Sequence, residues 1–352
     1  GLINGYSAAT PFIDQPVCYP QSGDKPFCPR NYDGAFHGVV QMRESLGNSL
    51  NIPAVQMLKL NGIDSMIATA SAMGLKTLND PSRYGLSLTL GGGEVTMVDM
   101  ATAFGVFANQ GYRVDLHPIL KVTDAEGKVL EEYKSPKSPI FGKKVIPSEV
   151  AFIISDMLAD NNARLMAFGS NSELRIPNQR VSVKTGTTND YRDNWTIGYT
   201  PSYLVAVWVG NNDNKPMQGV VSGVTGAAPI WNDLMSHLLD GKKSEIPQKP
   251  PNVVGRYVCR GTTQSAQSEN GQPPAGCSNK FEYFIKGIPE KSAGRIIKEK
   301  VWIDKTTNAQ AKPGQTDNVE EREESMMIDA TGNKYCITCA HPTPEPSPTP
   351  AP

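Results

Sequence analysis

The sequence lacks the features of a membrane-spanning, nucleic-acid-binding or metal-dependent chain. No window of its 352 residues approaches twenty consecutive apolar residues, so we predict no bilayer-spanning segment. The formal net charge is −1, which gives no electrostatic basis for binding nucleic acid or an anionic membrane. The 4 histidines are scattered, and no Gly-x-Ser-x-Gly or His-Glu-x-x-His motif accompanies them. We therefore predict neither a metal nor an organic cofactor.

A targeting signal is also missing at the amino terminus. The opening residues, "GLINGYSAATPF", contain no basic segment followed by an apolar one, so they do not form a signal peptide. We therefore expect any export signal or membrane anchor to lie upstream of this chain, as it would in a fragment of a longer protein.

Cysteines are present, and they occur as local pairs. Two pairs, Cys18 with Cys28 and Cys259 with Cys277, lie in segments rich in proline, glycine and serine, where a disulfide would constrain an irregular chain. We predict both disulfides, and with them an oxidising, extracytoplasmic setting; buried free thiols are the alternative.

The third pair belongs to "YCITCAH", in which Cys336, Cys339 and His341 match either a metal knuckle or a redox pair. No second ligand pair follows at zinc spacing, and no βαβ pattern surrounds the segment. We therefore predict no metal site here.

Hydrophobic periodicity divides the chain into helical and strand-forming regions. Prolines make residues 1–38 irregular, and four helices are predicted between residues 41 and 111. Further along, the pattern predicts a hairpin at Glu126-Gly127, a helix at 148–161, three antiparallel strands at 181–187, 195–200 and 203–211, and a helix at 228–239. The composition shifts at 241–251, and the final "PTPEPSPTPAP" predicts a disordered tail.

The first of these three strands carries the run "KTGT". Lys184 supplies a cation, Thr185 and Thr187 supply hydroxyl donors, and Gly186 leaves room for an extended peptide beside the backbone. These residues suit a ligand that adds to the sheet as a strand and ends in a carboxylate. A lysine that protects an exposed edge strand is the structural alternative.

A second motif, Ser49-Leu50-Asn51, lies at a predicted helix break before Pro53. The Ser49 hydroxyl is suited to relaying protons, and the Asn51 amide is suited to binding a substrate carbonyl. An ordinary Ser/Asn helix terminus is the alternative for this motif taken alone. Together and in this order, Ser-x-Asn and Lys-Thr-Gly match two of the three motifs of serine enzymes that react with penicillin.

Longer stretches around both motifs resemble the transpeptidase domain of class A, bifunctional penicillin-binding proteins. The matching stretches are "NYDGAFHGVVQMRESLGNSLNIPAVQML", "GGGEVTMVDMATAFGVFANQG" and "VKTGTTNDYRDNWTIGYTPSYLVAVWVGN". "GAAPIWNDLM" and "FEYFIKGIPE" also resemble the carboxy-terminal side of that family. The resemblance implies an α/β, β-lactamase/transpeptidase-like fold, in which an antiparallel sheet is flanked by helices and a helical subdomain carries Ser49 and Asn51.

The same resemblance divides the chain into three parts. Residues 1–245 are expected to form a transpeptidase domain that lacks its Ser-x-x-Lys segment. Residues 246–290 are expected to be the cysteine-containing carboxy-terminal part of the same module, and residues 291–352 an extension with a proline-rich, disordered tail.

Acyl transfer is the chemistry that the resemblance implies. A serine attacks the penultimate D-Ala carbonyl of a peptidoglycan stem peptide, D-Ala leaves, and the amine of a neighbouring stem takes the acyl group; β-lactams mimic D-Ala-D-Ala and acylate the same serine. Lys184 is expected to assist proton transfer through Ser49 and to orient the terminal carboxylate, to which Thr185 and Thr187 donate. Asn51 is expected to hold the peptide amide. Backbone N–H groups of the nucleophile and of Thr187 are expected to form the oxyanion hole.

The third family motif is Ser-x-x-Lys at a helix N-terminus, and its one match in the chain is "SGDK" at 22–25. Pro26 and Pro29 prevent the helix that should carry the serine, and Cys28 closes a predicted loop around the motif. The separation from Ser22 to Ser49 is 49 − 22 = 27 residues, about half of that usual in the family. We therefore expect the nucleophile to lie upstream, in a domain that is incomplete at its N-terminus.

Two other functions stay open at this point. A D,D-carboxypeptidase or β-lactamase-like hydrolase would use water in place of the acceptor amine, and a non-catalytic penicillin-binding-like module would never be acylated. The resemblance favours the transpeptidase. It also implies a glycosyltransferase domain and a membrane anchor upstream in the full protein, at the extracytoplasmic face of the bacterial cell membrane.

Overall fold

The computed structural model describes residues 1–21, 25–134, 141–188, 191–217, 225–261, 263, 266, 277–291 and 294–341. Its α-helices are α1 Met42–Gly47, α2 Asn51–Asn61, α3 Ile63–Met73, α4 Met97–Ala108, α5 Ser148–Ala159, α6 Leu165–Phe168 and α7 Ala227–Leu239. Its strands are β1 Pro11–Asp14, β2 Gly38–Gln41, β3 Tyr112–Arg113, β4 Lys121–Thr123, β5 Val129–Glu132, β6 Lys143–Lys144, β7 Ser182–Thr187, β8 Asp193–Tyr199, β9 Leu204–Gly210, β10 Val253–Cys259, β11 Asn279–Ile285, β12 Arg295–Asp304, β13 Val319–Ile328 and β14 Lys334–Cys336. None of the described helices is long and apolar enough to span a membrane.

These elements form two compact units. The first unit comprises Gly1–Asn61 and Val254–Pro352, and the second comprises Gly62–Val253. Ser49 and Asn51 belong to the first unit, and Lys184 belongs to the second. The expected parts 1–245, 246–290 and 291–352 stay a prediction.

The second unit is built on the antiparallel meander β7-β8-β9, as the sequence predicts. Helices α4 and α5 pack against this sheet, and α7 also contacts β8 and β9. Side chains alternate along β7, so Val183 joins the core formed with α7, whereas Ser182 donates a hydrogen bond to the Ser155 carbonyl of α5 at 2.7 Å. The sheet is therefore flanked by helices on both faces.

Close packing in this unit depends on one glycine of β8. Gly198 pairs with Val183, and a Cβ at position 198 would lie 2.3 Å from Cζ2 of Trp231. The Trp231 side chain on α7 is fully buried. Glycine is thus required at position 198 because the indole ring occupies the space that any side chain would need.

The first unit begins with the antiparallel pair β1-β2, in register Pro11↔Gln41 to Asp14↔Gly38. The prediction that residues 1–38 are irregular is wrong for β1. Pro11 is the first residue of that strand, a position that tolerates the missing proline N–H. Strand β2 leads directly into α1, so this hairpin sets the position of the Ser-x-Asn segment.

A buried ion pair connects α1 to the carboxy-terminal part of the first unit. The Arg43 guanidinium donates to the Glu282 carboxylate of β11 from Nε at 2.8 Å and from Nη2 at 2.7 Å. Both side chains are buried, and Lys280 and Arg260 add cations around the neighbouring Glu44. This two-point contact supports the proposal that residues 246–290 belong to the same module as α1.

All six cysteines are paired. The predicted disulfides Cys18–Cys28 and Cys259–Cys277 are confirmed, and Cys336 is bonded to Cys339. The sulfur atoms of "CITC" are thus engaged with each other rather than presented as two thiolates. Buried free thiols, the alternative for the first two pairs, are excluded.

Candidate active site

The Lys-Thr-Gly-Thr run occupies most of β7, at one edge of the three-stranded sheet. Residues Lys184 to Thr187 pair with β8 in the register Lys184↔Ile197 to Thr187↔Asn194. Within the described residues, no strand pairs with the other edge of β7. Alternation along the strand places Lys184 and Gly186 on one face and Thr185 and Thr187 on the other. The run therefore places a cation and two hydroxyls within four residues of an edge strand of the described sheet.

The environment of Lys184 favours loss of its proton. Its Nζ donates a hydrogen bond to the Thr185 carbonyl at 2.7 Å. Burial, together with the nearby charge of Arg164, lowers the pKa of Lys184 from 10.5 to about 8. Arg164 is itself buried, and it donates to the Leu158 carbonyl at the end of α5. A lysine with such a pKa can exchange protons near neutral pH and still supply a positive charge.

Gly186 is not required by the fold. Its φ is not positive, and among the described residues a Cβ built at this position would contact only Cβ of Trp195, at an ordinary distance of 3.6 Å. Position 198 on the next strand requires glycine for packing, but position 186 does not. The absence of a side chain at Gly186 is therefore better explained by a ligand that approaches the strand.

Ser49 occupies a position where glycine is usual. Helix α1 ends in a Schellman motif, in which the Leu50 N–H donates to the Ser45 carbonyl at 2.9 Å and the Ser49 N–H donates to the Leu46 carbonyl at 3.3 Å. Ser49 is the left-handed residue of this motif, with φ of 58°. A side chain in this conformation costs stability, and such strain concentrates at functional sites. The helix break predicted at Ser49-Leu50-Asn51 is confirmed.

Asn51, the first residue of α2, is hydrogen-bonded to two residues that are adjacent in sequence, Arg30 and Asn31. Its backbone N–H donates to Oδ1 of Asn31 at 2.9 Å, and its side-chain Nδ2 donates to the Arg30 carbonyl at 2.7 Å. Asn31 thus acts as an N-cap supplied from another segment of the chain. The orientation of the Asn51 amide is set by a loop rather than by the helix alone.

The described residues on either side of "SGDK" are joined by a disulfide and by backbone hydrogen bonds. Tyr19 and Phe27 exchange backbone hydrogen bonds at 2.8 and 2.9 Å, inside the bond between Cys18 and Cys28. Ser22 lies outside the described residues. Lys25 is exposed. These features support the view that the segment is not a Ser-x-x-Lys helix.

Sequence reasoning missed Asn31 and Arg164. Asn31 lies in "RNYDG", a segment whose composition indicates a turn. Nothing in this segment indicates that Asn31 contacts Asn51, twenty positions later in the sequence. Arg164 follows α5 in "NNARLM", and a single arginine there looks like a surface residue. No signal in one sequence identifies its burial.

Comparisons with known proteins agree with this architecture. The family model described as "Penicillin binding protein transpeptidase domain" matches residues 13–236. Penicillin-binding protein 1A of Clostridium botulinum (strain Langeland) is 33% identical over 288 residues, which cover 80% of this chain and 34% of that protein.

Solved structures give the same result for the fold. Penicillin-binding protein 1A from Haemophilus influenzae matches with a TM-score of 0.66 at 24% identity, over 82% of this chain and 46% of that chain. PonA1 from Mycobacterium tuberculosis, in complex with penicillin V, matches with a TM-score of 0.60 at 23% identity, over 78% of this chain and 71% of that chain. The predicted α/β transpeptidase-like fold is confirmed. The chain spans about a third of the length of the curated relative.

Proposed function

Because this chain belongs to the penicillin-binding protein transpeptidase family, we propose that it forms the peptide-binding part of a D,D-transpeptidase. Its substrates are peptidoglycan stem peptides that end in D-Ala-D-Ala, and β-lactams bind in their place. The observation that carries the proposal is β7, an edge strand of the described sheet, where a glycine that packing among the described residues does not require lies two positions from a lysine of lowered pKa.

Each site residue has a role in this reaction. The terminal carboxylate of the peptide accepts hydrogen bonds from Thr185 and Thr187 and is oriented by Lys184, while the Asn51 amide binds the peptide amide. Ser49 relays the proton of the serine nucleophile to the leaving amine, and Lys184 supplies a positive charge and a group that exchanges a proton near neutral pH. The serine oxygen bonds to the penultimate carbonyl carbon as the C–N bond to D-Ala breaks. The acceptor amine then attacks the same carbonyl carbon, so that a new C–N bond forms while the ester bond to the serine breaks and the proton of the amine returns to the serine oxygen.

The nucleophile in this proposal is not Ser22. Lys25 is exposed and lies between two cysteines that form a disulfide, and an exposed lysine cannot lower the cost of deprotonating a serine as a buried lysine does. We therefore propose that a Ser-x-x-Lys segment outside residues 1–352 supplies the nucleophile. The backbone N–H of that serine and the N–H of Thr187 then bind the oxyanion.

Location and further parts of the protein are also proposals. The three disulfides favour an oxidising compartment, which agrees with the extracytoplasmic face of the bacterial cell membrane. An upstream glycosyltransferase domain and a membrane anchor stay expectations from the family resemblance. The curated relative is long enough for additional domains.

Replacement of Lys184 tests the proposed function. We define the extended chain as residues 1–352 joined to the native Ser-x-x-Lys segment. In it, Lys184→Ala should reduce the rate of acylation by a fluorescent penicillin about 10²-fold, because a charge that stabilises the transition state is lost. The matched control is Lys215→Ala, since that lysine is 77% exposed and should not affect acylation.

Two outcomes would contradict the proposal. Unchanged acylation of Lys184→Ala would remove β7 from the active site, and an extended chain that never reacts with penicillin would indicate a non-catalytic module. Analysis of products formed with a muropeptide acceptor separates transfer from hydrolysis. Release of D-Ala without cross-linked product would favour the carboxypeptidase instead.

A further inference from the structure

A buried polar network lies directly behind Asn51 in the first unit. At its centre is Asp14, the last residue of β1, whose side chain is fully buried. The Asp14 carboxylate accepts hydrogen bonds from Nδ2 of Asn31 at 2.7 Å, from the His37 backbone N–H at 3.0 Å and from His37 Nδ1 at 2.7 Å. The charge of Asp14 is thus compensated by N–H donors from one loop.

This network fixes the orientation of Asn31. The Asn31 side chain is buried, and its Nδ2 donates both to Asp14 and to the Ala35 carbonyl at 2.9 Å. With both N–H groups directed at oxygen acceptors, Oδ1 must point the other way, where it accepts from the Asn51 N–H. The amide of Asn31 is therefore locked in one of its two possible orientations.

The outer end of the network reaches solvent at His37. Its Nε2 lies 3.0 Å from Oδ2 of Asp33, a half-exposed side chain, and Asp33 also accepts from the Ala35 N–H. Residues 30–37 contain no helix or strand. Their conformation is thus maintained by contacts with Asp14 rather than by regular secondary structure.

We propose that Asn31, oriented by Asp14, is a positioning residue that aligns Asn51 for substrate binding. Neither Asn31 nor Asp14 touches the substrate in this arrangement. Asn31 fixes the backbone of Asn51, and the preceding residue, Arg30, fixes the direction of the Asn51 side chain through its carbonyl. Loss of this support should leave the Asn51 amide present but misaligned, which weakens only those interactions that the amide makes.

The inference rests on the proposed function. Acylation rates with two β-lactams distinguish a failure of the positioning role of Asn31 from a failure of the proposed function. Benzylpenicillin carries a side-chain amide that resembles the peptide amide of the substrate, whereas 6-aminopenicillanic acid lacks it. In the extended chain, the ratio of their acylation rates measures the contribution of Asn51. A general folding defect lowers both rates and leaves the ratio unchanged.

Asn31→Ala should lower this ratio about tenfold, close to the effect of Asn51→Ala. Asn61→Ala is the matched control, because that asparagine lies at the opposite end of α2 and donates to the Met57 carbonyl. If Asn51→Ala leaves the ratio unchanged, the proposed role of Asn51 fails. If Asn51→Ala lowers it and Asn31→Ala does not, the positioning role of Asn31 is overturned.

A charge exchange keeps the test valid if Asn31→Ala does not fold. Asn31→Asp alone places two carboxylates in contact and should lower the ratio. Adding Asp14→Asn restores a donor opposite the new carboxylate at position 31 and retains the acceptor for the Asn51 N–H, while the Ala35 carbonyl stays without its donor. The double variant should therefore recover part of the ratio. Hydrogen exchange of the Asn51 backbone N–H should change in the same direction. It should be about tenfold faster in Asn31→Asp than in the native chain, and slower again when Asp14→Asn is added. An unrescued double variant that is folded contradicts the proposal.

Discussion

At the scale of single residues, the two motifs contain choices that packing does not explain. Ser49 is a serine where glycine would relieve backbone strain, and Gly186 is a glycine where alanine would fit. Each choice departs from the residue that stability alone would favour. Departures of this kind are expected where a site needs a hydroxyl or open space.

The strain at Ser49 can be measured with two substitutions that both remove the hydroxyl. We predict that Ser49→Gly is more stable than Ser49→Ala by about 1 kcal/mol, because only glycine adopts a positive φ without a Cβ clash. Chemical unfolding of both variants provides the measurement. Equal stabilities would show that the left-handed conformation is not strained.

The lowered pKa of Lys184 predicts a dependence of stability on pH. Below pH 8 the lysine is charged in both states, and its burial cost is fully present. Between about 8 and 10.5 the folded state releases the proton first, so the unfolded state binds more protons and stability rises with pH. Lys184→Met should therefore be more stable than the native chain below pH 8, with a difference that disappears by about pH 10.5.

Melting temperatures across this range test the prediction. Lys215→Met is the control and should show no such trend, since its lysine is exposed. If the stability difference between Lys184→Met and the native chain does not change with pH, burial does not lower the pKa of Lys184.

At the scale of secondary-structure elements, neighbouring strands of one sheet use glycine for different reasons. Strand β8 needs Gly198 so that α7 can seat Trp231 against the sheet. Strand β7 has no such constraint at Gly186. The sheet thus separates a face that stabilises the unit from an edge at which we propose that a ligand binds.

Alanine at each glycine should separate stability from activity. Gly198→Ala should destabilise the second unit by about 1–3 kcal/mol, because its Cβ overlaps the buried indole. Gly186→Ala should stay within about 0.5 kcal/mol of the native stability and yet slow acylation of the extended chain. Thermal unfolding and fluorescent penicillin labelling measure the two effects. Normal acylation by Gly186→Ala would mean that no ligand approaches this edge.

At the scale of the whole molecule, binding and nucleophilic attack are expected to reside in different segments. Residues 1–352 contain the motifs that we propose position and polarise a substrate, and their one Ser-x-x-Lys lies in the sequence between the disulfide-bonded Cys18 and Cys28. We predict that residues 1–352 alone form no covalent adduct with a fluorescent penicillin. The extended chain should form one, and Ser22→Ala in the extended chain should not reduce it.

Mass spectrometry of the labelled protein gives the answer directly. A stoichiometric adduct on residues 1–352 that disappears with Ser22→Ala would make "SGDK" the catalytic motif. The same measurement on the extended chain verifies that the probe reacts under the chosen conditions.

The sequence by itself determined the elements whose signals are local. The β7-β8-β9 meander follows from alternating apolar residues, the break at Ser49 from the polar run before Pro53, and the disulfides from cysteines close in sequence. The family resemblance then predicted roles for Lys184 and Asn51 in substrate binding and catalysis. Local patterns suffice here because each depends on neighbours along the chain.

Only the tertiary structure decided the features that depend on distant residues. Strand β1 exists because β2 pairs with it across an irregular segment, and periodicity could not reveal a strand that begins with proline. The burial of Arg164, the pKa of Lys184 and the contact from Asn31 to Asn51 each require side chains far apart in sequence to meet. Such contacts arise from packing and desolvation, which a single sequence does not encode at any one position.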